Sequence, residues 1–258
     1  MIGSIVGDIV GSIYEQYPIK TTEFPLWQPE CRFTDDTVLT VAVADTLLNQ
    51  ADYTDRFRAY YERFPRAGYG GSFHGWARSP APEPYGSWGN GSAMRVGPVG
   101  WWFHSLEETL REAERSAAVT HNHPDGIAGA KAVAACIFLA RHRADKQTIQ
   151  KYVEETFYAL PASTDSIRPS YSFDISCSGT VPEAIVCALE AEDFETAIRL
   201  AISLGGDSDT LACIAGSIAE ALYGVPAPLA ERALLYLPES FTRILSTFEE
   251  RVRVDQER

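Results

Sequence analysis

Asp209–Tyr223 reads DTLACIAGSIAEALY, and this stretch decides the fold class. A helix drawn through it is apolar on nearly every side, and a helix without a polar face belongs in the interior. Thr37–Leu48 (TVLTVAVADTLL) and Gly126–Ala140 (GIAGAKAVAACIFLA) have the same character. Their Ala, Gly and Ser residues let neighbouring backbones approach closely, which predicts several such helices side by side. Weaker helical periodicity runs over Thr54–Phe64, Leu106–Ala118, Lys146–Leu160, Pro182–Glu190, Phe194–Ser203 and Ala230–Arg251, and Gly224 followed by Pro226 is a helix stop. The two-residue alternation of strands is scarce. The chain therefore reads as all-α, a compact single-domain orthogonal multi-helix bundle with long functional loops spanning residues 1–258.

Those loops are two stretches rich in Gly, Pro and Ser. Ala67–Trp102 contains many aromatics, which flexible linkers lack. Pro161–Thr180 is similar and is expected beside it. Ordered loops of this length are usually functional.

Composition narrows the function. Lys and Arg number 22 against 35 Asp and Glu, a net charge of −13, so a general nucleic-acid binder is disfavoured. No apolar run is long enough to span a bilayer as a helix. The N-terminus MIGSIVGDIVGSIY has no basic residue before Lys20 and carries Asp8 in its apolar run, so it reads as mature protein and not as a signal peptide. Five widely spaced cysteines suggest buried thiols in a reducing, cytoplasmic setting.

Two acidic clusters each open a buried helix: Thr34-Asp35-Asp36-Thr37 and Gly205-Gly206-Asp207-Ser208-Asp209-Thr210. Helix capping accounts for either cluster alone, because Asp and Thr satisfy free N–H groups and suit the helix dipole. Capping needs only one side chain, however, and paired carboxylates at the mouth of an apolar helix repel one another. Divalent cations relieve that repulsion. Carboxylates and hydroxyls are hard ligands suited to Mg²⁺ or Mn²⁺, and four carboxylates suit two ions better than one.

Gly3, Gly7 and Gly11 have helical spacing and read as a stripe for close packing. Asp8 reads as a buried acid bonded to backbone, while Glu15 falls where that helix should end. Gly89-Asn90-Gly91-Ser92-Ala93-Met94-Arg95 is a turn whose N–H groups suit a phosphate, although taken alone a plain turn is the favoured reading. His121 and His123 precede a helix start, where capping is the simpler reading than metal binding. No GxSxG elbow, HExxH pair or Walker ending is present.

Together, GDIVGSIYE (Gly7–Glu15), TDDT (Thr34–Thr37), GNGSAMR (Gly89–Arg95), THNHP (Thr120–Pro124) and GGDSDT (Gly205–Thr210) resemble the ADP-ribosylglycohydrolase family. That family includes the dinitrogenase reductase activating glycohydrolases and the vertebrate ADP-ribosylhydrolases. The likeness runs from Gly3 to Thr210, and TDDT paired with GGDSDT is its specific part.

The resemblance implies an all-α fold with two Mg²⁺ (or Mn²⁺) ions, matching Thr34, Asp35 and Asp36 to one ligand set and Asp207, Asp209 and Thr210 to the other. It matches Gly89, Asn90, Gly91, Ser92, Ala93 and Met94 to the turn binding the diphosphate and adjoining ribose, and His121 to a histidine near the substrate. Tyr85, Trp88, Tyr171 and Phe173 are candidates, by character alone, for stacking on adenine. The implied reaction releases ADP-ribose from a modified protein or small molecule by cleavage at the distal ribose. Asp36, Asp209 and Glu15 are all candidates for its proton transfers.

Two other readings are open at this stage. One is a catalytically silent ADP-ribose-binding or structural protein, against which the intact acidic pairs speak. The other is a two-metal nucleotide phosphohydrolase, for which Arg95 is the main cation in the glycine turn.

Overall fold

The computed structural model describes residues 1–256. Its helices, numbered in chain order, begin with α1 (Ile2–Gly11), α2 (Asp35–Asn49), α3 (Tyr53–Arg63), α4 (Gly71–Arg78), α5 (Gly91–Met94), α6 (Gly97–Trp102), α7 (Leu106–Ala118) and α8 (Pro124–Arg141). They continue with α9 (Lys146–Thr156), α10 (Thr164–Ile167), α11 (Cys177–Glu190), α12 (Phe194–Ser203), α13 (Ser208–Tyr223), α14 (Ala227–Leu234) and α15 (Glu239–Gln256). Among the described residues there is no strand, only an isolated antiparallel bridge between Gly89 and Ser176.

Helix α13 is the centre of the packing. It contacts α1, α8, α11 and α12, and Leu211, Ile214 and Ile218 along it are fully buried. The all-round apolar pattern read from its sequence is thus explained by neighbours on all sides.

The glycine stripe sets how α1 meets α13. A Cβ on Gly3 would run into the carbonyl of Gly216, one on Gly7 into that of Ala212, and one on Gly11 into the Ser208–Asp209 backbone. Each four-residue step up α1 corresponds to a four-residue step down α13, so the helices run antiparallel at backbone contact. The end of α1 therefore lies against the start of α13, which brings the segment after Gly11, including Glu15, to the GGDSDT turn.

The same helix positions α2. Asp8, fully buried on α1, accepts hydrogen bonds from Thr34 N (2.9 Å), Thr34 Oγ1 (2.7 Å), Thr37 N (3.2 Å) and the Thr37 hydroxyl. It is the buried acid expected from the sequence, and it fixes the first turn of α2 through both backbone and hydroxyl donors.

Several boundaries differ from the sequence reading. Ala230–Arg251 is not one helix but parts of α14 and α15, separated at Leu235–Pro238, since Pro238 lacks an N–H and disfavours helical geometry in the residue before it. Helix α11 begins at Cys177 and not at Pro182, capped by Ser176 Oγ accepting from Gly179 N at 2.9 Å. The first long stretch contains three short helices, α4, α5 and α6. It lies beside the second as expected, through Asn90 N to Ile175 O (2.8 Å) and Cys177 N to Trp88 O (2.9 Å). All five cysteines are buried and free. No helix is long and apolar enough to cross a membrane among the described residues.

Candidate active site

The two acidic clusters meet at the floor of a cleft of about 400 Å³, whose lining includes Glu15, Thr34, Asp35, Asp36, Asp207, Asp209 and Thr210. Carboxylate oxygens of Glu15, Asp207 and Asp209 all lie within 4.8 Å of one another. Across from them, Thr210 Oγ1 donates to Asp36 Oδ1 at 3.4 Å, joining α13 to α2.

Capping does not use up these side chains. At α2 the cap is Thr34, which accepts from Asp36 N at 3.2 Å, leaving both aspartates free of that role. At α13 the N-cap residue Asp207 makes no capping bond. Asp36 Oδ2 is buried with no hydrogen-bond partner. An unpartnered carboxylate oxygen facing other acids is costly, and it needs a proton or a cation.

The electrostatics agree. Desolvation and then the charge of Asp8 push Asp35 up to about 8, with Asp207 and Glu15 adding to the shift. Burial drives Asp36 and Asp209 well above the ordinary carboxylate range, and each is raised further by its acidic neighbours. Glu15 is raised first by desolvation and then by Asp207, with Arg32 pulling it back. The donor set of carboxylates and threonine hydroxyls, with an orphaned oxygen inside it, fits a hard divalent cation.

The glycine turn forms an adjoining wall, and it is tied to the acidic floor. Asn90 Nδ2 donates to Asp207 Oδ2 at 2.8 Å and to Thr180 Oγ1 at 3.2 Å. Asn90 lines the cleft, as its expected substrate role requires, and its amide also holds Asp207 in place. Gly89, Gly91 and Met94 line the cleft. Ser92 and Ala93 do not: both are fully buried, Ser92 Oγ donates to Gly126 O at 2.6 Å, and the N–H groups of Ala93 and Met94 are taken by Asn90 O. The turn closes on itself there, which removes those two N–H groups from the expected phosphate cradle.

His121 also lines the cleft, with Nε2 facing Gly91. Its Nδ1 lies 2.7 Å from Thr120 Oγ1, which receives an N–H from Arg95 Nη2 at 2.8 Å. A guanidinium can only donate. The Thr120 hydrogen is then drawn to Nδ1 in preference to Ala117 O at 3.5 Å, which leaves Nε2 as the N–H directed into the cleft. Burial and then Arg95 hold the His121 pKa well below its usual value, so the ring is neutral.

Arg95 itself is fully buried, donates also to Ser116 O at 2.9 Å and lies 4.3 Å above the Phe57 ring centre. Its Nη2 is engaged internally, whereas its Nε is buried without a hydrogen-bond partner and Arg95 borders the cleft. His123 is the N-cap of α8, accepting from Asp125 N at 3.2 Å, as the capping reading has it.

Of the aromatic candidates, Tyr85 and Phe173 line the cleft, and Phe173 is 56% exposed. Tyr171 instead packs on Gly206 and donates to Gly179 O at 2.6 Å, while Trp88 lies outside the lining. Apart from the buried Tyr69, the residues from Ala67 to Phe73 border the cleft, as do Arg32, Ser87 and Ile175, and sequence reasoning missed all of these. The available signal was Gly68-Tyr69-Gly70-Gly71, whose small residues leave room beside Asp35; Gly68, at φ +114°, brings its Cα face against Asp35 Oδ1.

The arrangement of two acidic helix starts beside a glycine turn can be compared with known proteins. The ADP-ribosylglycohydrolase family model matches residues 1–257.

The chain belongs to the ADP-ribosylglycohydrolase family.

Among similar members, ADP-ribosylhydrolase ARH3 of Danio rerio is 26% identical over 302 residues, covering 87% of this chain and 82% of that one. ADP-ribosylarginine hydrolase Tri1 of Pseudomonas putida (strain GB-1) is 27% identical over 259 residues, covering 87% and 70%. A solved structure titled ADP-ribosylglycohydrolase-related protein complex superposes with a TM-score of 0.73 at 24% identity, covering 97% of this chain and 95% of that one. This likeness supports the same all-α fold for the present family member.

Proposed function

We propose that this ADP-ribosylglycohydrolase family member is a metal-dependent ADP-ribosylhydrolase. It cleaves the glycosidic bond at the distal ribose and releases ADP-ribose from a modified protein or small molecule, with residues 1–258 acting as one domain. Its cofactor is a pair of Mg²⁺ or Mn²⁺ ions. Thr34, Asp35 and Asp36 hold one, and Asp207, Asp209 and Thr210 hold the other.

The observation that carries this reading is the convergence of Glu15, Asp207 and Asp209 within 4.8 Å, beside the buried, unpartnered oxygen of Asp36. Bound divalent ions supply Lewis-acid polarisation of hydroxyl or water oxygens and neutralise the carboxylates. Family membership and the names of the relatives supply the substrate class.

The chain's own residues divide the remaining work. His121 Nε2–H and the N–H of Gly91 provide neutral donors for the diphosphate, since those of Gly89 and Asn90 are taken by Ser87 Oγ and Ile175 O, a role suited to a site whose floor is anionic. Phe173, exposed at the mouth, offers an apolar face to the adenine. Glu15 is best placed to take a proton from water. It is half-buried, its pKa is raised by desolvation and the neighbouring Asp207, and it lies outside the α2 and α13 caps. Asp8 and Asn90 hold Thr34 and Asp207 in position. As the C1″ bond breaks, the acidic floor stabilises the developing positive charge on the ribose.

The test is a panel of arginine-linked, serine-linked, acetyl-ester-linked and nucleic-acid-linked ADP-ribose conjugates, incubated with and without Mg²⁺. Metal-dependent release of intact ADP-ribose from at least one supports the proposal. Tight ADP-ribose binding with no cleavage of any conjugate, or release of phosphate from ADP-ribose, contradicts it.

A further inference from the structure

A second groove opens directly beside the acidic cleft. It measures about 630 Å³, and the two share Arg32 and Ala67 in their walls. Phe33, Phe64 and Tyr236 contribute its apolar surface, while Arg32, Arg63 and Arg66 contribute positive charge; no acidic side chain lines it.

The three arginines differ in their commitments. Arg63 donates to Ser240 Oγ at 2.8 Å and lies over the Tyr60 and Phe64 rings, so it is fixed in the wall. Arg32 and Arg66 are exposed, and neither has an ion-pair partner among the described residues. In a chain of net charge −13, two uncommitted arginines beside an apolar floor are a local reversal of sign.

Position gives the reversal a meaning, which rests on the proposed function. Arg32 and Ala67 line both the cleft and the groove, so an acceptor that leaves the acidic floor past these two residues enters the groove. Arg32 also acts electrostatically on Glu15, so it stands between the acidic floor and the groove.

We propose that this groove is the acceptor-side subsite and that it takes an acidic polypeptide segment flanking the ADP-ribosylated residue. Carboxylates of that segment pair with Arg32 and Arg66, and its apolar side chains rest on Phe33, Phe64 and Tyr236. Segments rich in Lys or Arg are repelled. A polypeptide fits better than a phosphate polymer, because a polyanion needs a basic track longer than three arginines and the chain's overall charge opposes one. Pairs of this exposed kind contribute modestly each, so the groove selects among acceptors without being required for bond cleavage.

The experiment uses peptides carrying one ADP-ribosyl linkage, the one best cleaved in the conjugate panel, with flanks of Asp/Glu, Gly/Ser or Lys/Arg. A small ADP-ribosyl conjugate without peptide is the reference. With Mg²⁺ present, kcat/KM relative to that reference should fall in the order acidic, neutral, basic. The Arg66→Glu variant should lower the ratio for the acidic peptide roughly three- to tenfold, chiefly through KM, and the effect should weaken in high salt.

Equal ratios for the three flanks, with the small conjugate still cleaved, overturn this inference and leave the proposed function standing. Cleavage of no conjugate overturns the proposed function instead. In that event, anisotropy of labelled, unmodified acidic and neutral peptides on wild type and Arg66→Glu tests the groove by itself. Weaker binding of the acidic peptide to the variant supports the inference, and unchanged binding overturns it. An Arg66-dependent preference for a single-stranded oligonucleotide over the acidic peptide also overturns it.

Discussion

Thr210 Oγ1 donates to Asp36 Oδ1 at 3.4 Å across 174 residues of sequence, closing the start of α13 onto the start of α2. The contact satisfies one oxygen of Asp36 and leaves the other buried and bare. The acidic floor therefore holds more ionisable acid than its protein partners neutralise, and a proton or a bound cation relieves it.

Replacing Asp36 with Asn should separate binding from folding. Asn cannot ionise, so the thermal midpoint of the metal-free protein should rise by a few degrees, on the order of 1 kcal/mol, at pH values where the wild-type carboxyl is charged. The substitution should also lower ADP-ribose release by at least about 100-fold and abolish the Mg²⁺ heat in calorimetry. Calorimetry and thermal unfolding on the same preparation check both. Unchanged Mg²⁺ affinity would show that Asp36 is not a ligand.

Stability should depend on pH in the direction opposite to that of salt-bridged acids. Asp35 is pushed up from 3.8 to about 8, so the folded state binds its proton more tightly than the unfolded chain does. The protonated form's stabilisation is fully present below about pH 4 and is lost as pH rises toward 8. Mg²⁺ should reverse that loss, and its effect on the melting temperature should be larger at pH 8 than at pH 5. Melting curves at both pH values decide it; an equal Mg²⁺ effect at each contradicts the account.

The helical contact beneath the site was legible before the structure. Gly3, Gly7 and Gly11 announce close packing by their spacing, and the all-apolar text of Asp209–Tyr223 announces a buried partner. That the two are each other's partners was not legible, because spacing reports a face and not what covers it. In the same way, TDDT and GGDSDT were readable as acidic helix starts, whereas the Asn90–Asp207 bond and the internal engagement of Arg95 depend on how the turn closes in space. Arg32 carried no local signal at all: it became a site residue only when α1 and α2 brought its loop to the cleft.

Gly7 gives the packing claim a direct test. A side chain there meets the carbonyl of Ala212, so Gly7→Val should destabilise the protein by about 1–3 kcal/mol or more in urea unfolding. Gly70, where a Cβ meets nothing within 4 Å, is the control, and Gly70→Ala should stay within about 0.5 kcal/mol of wild type. Equal effects at the two positions would contradict the backbone contact.

Thr120 should govern the tautomer of His121. In wild type, nitrogen NMR should show the proton on Nε2. Thr120→Val removes the donor to Nδ1 and should weaken ADP-ribose binding about five- to tenfold, consistent with loss of one well-placed hydrogen bond. Thr120→Ser retains the hydroxyl and should restore the wild-type spectrum. A wild-type spectrum with the proton on Nδ1 would reverse the assignment of donors around Arg95.

The most direct test of the central claim is the rate of ADP-ribose release from the best-cleaved conjugate, measured on protein stripped by chelation and then titrated with Mg²⁺. The account predicts no release above background in the stripped protein, full recovery on adding Mg²⁺ or Mn²⁺, and no recovery in Asp209→Ala. Full activity after exhaustive chelation, or in Asp209→Ala, would contradict it.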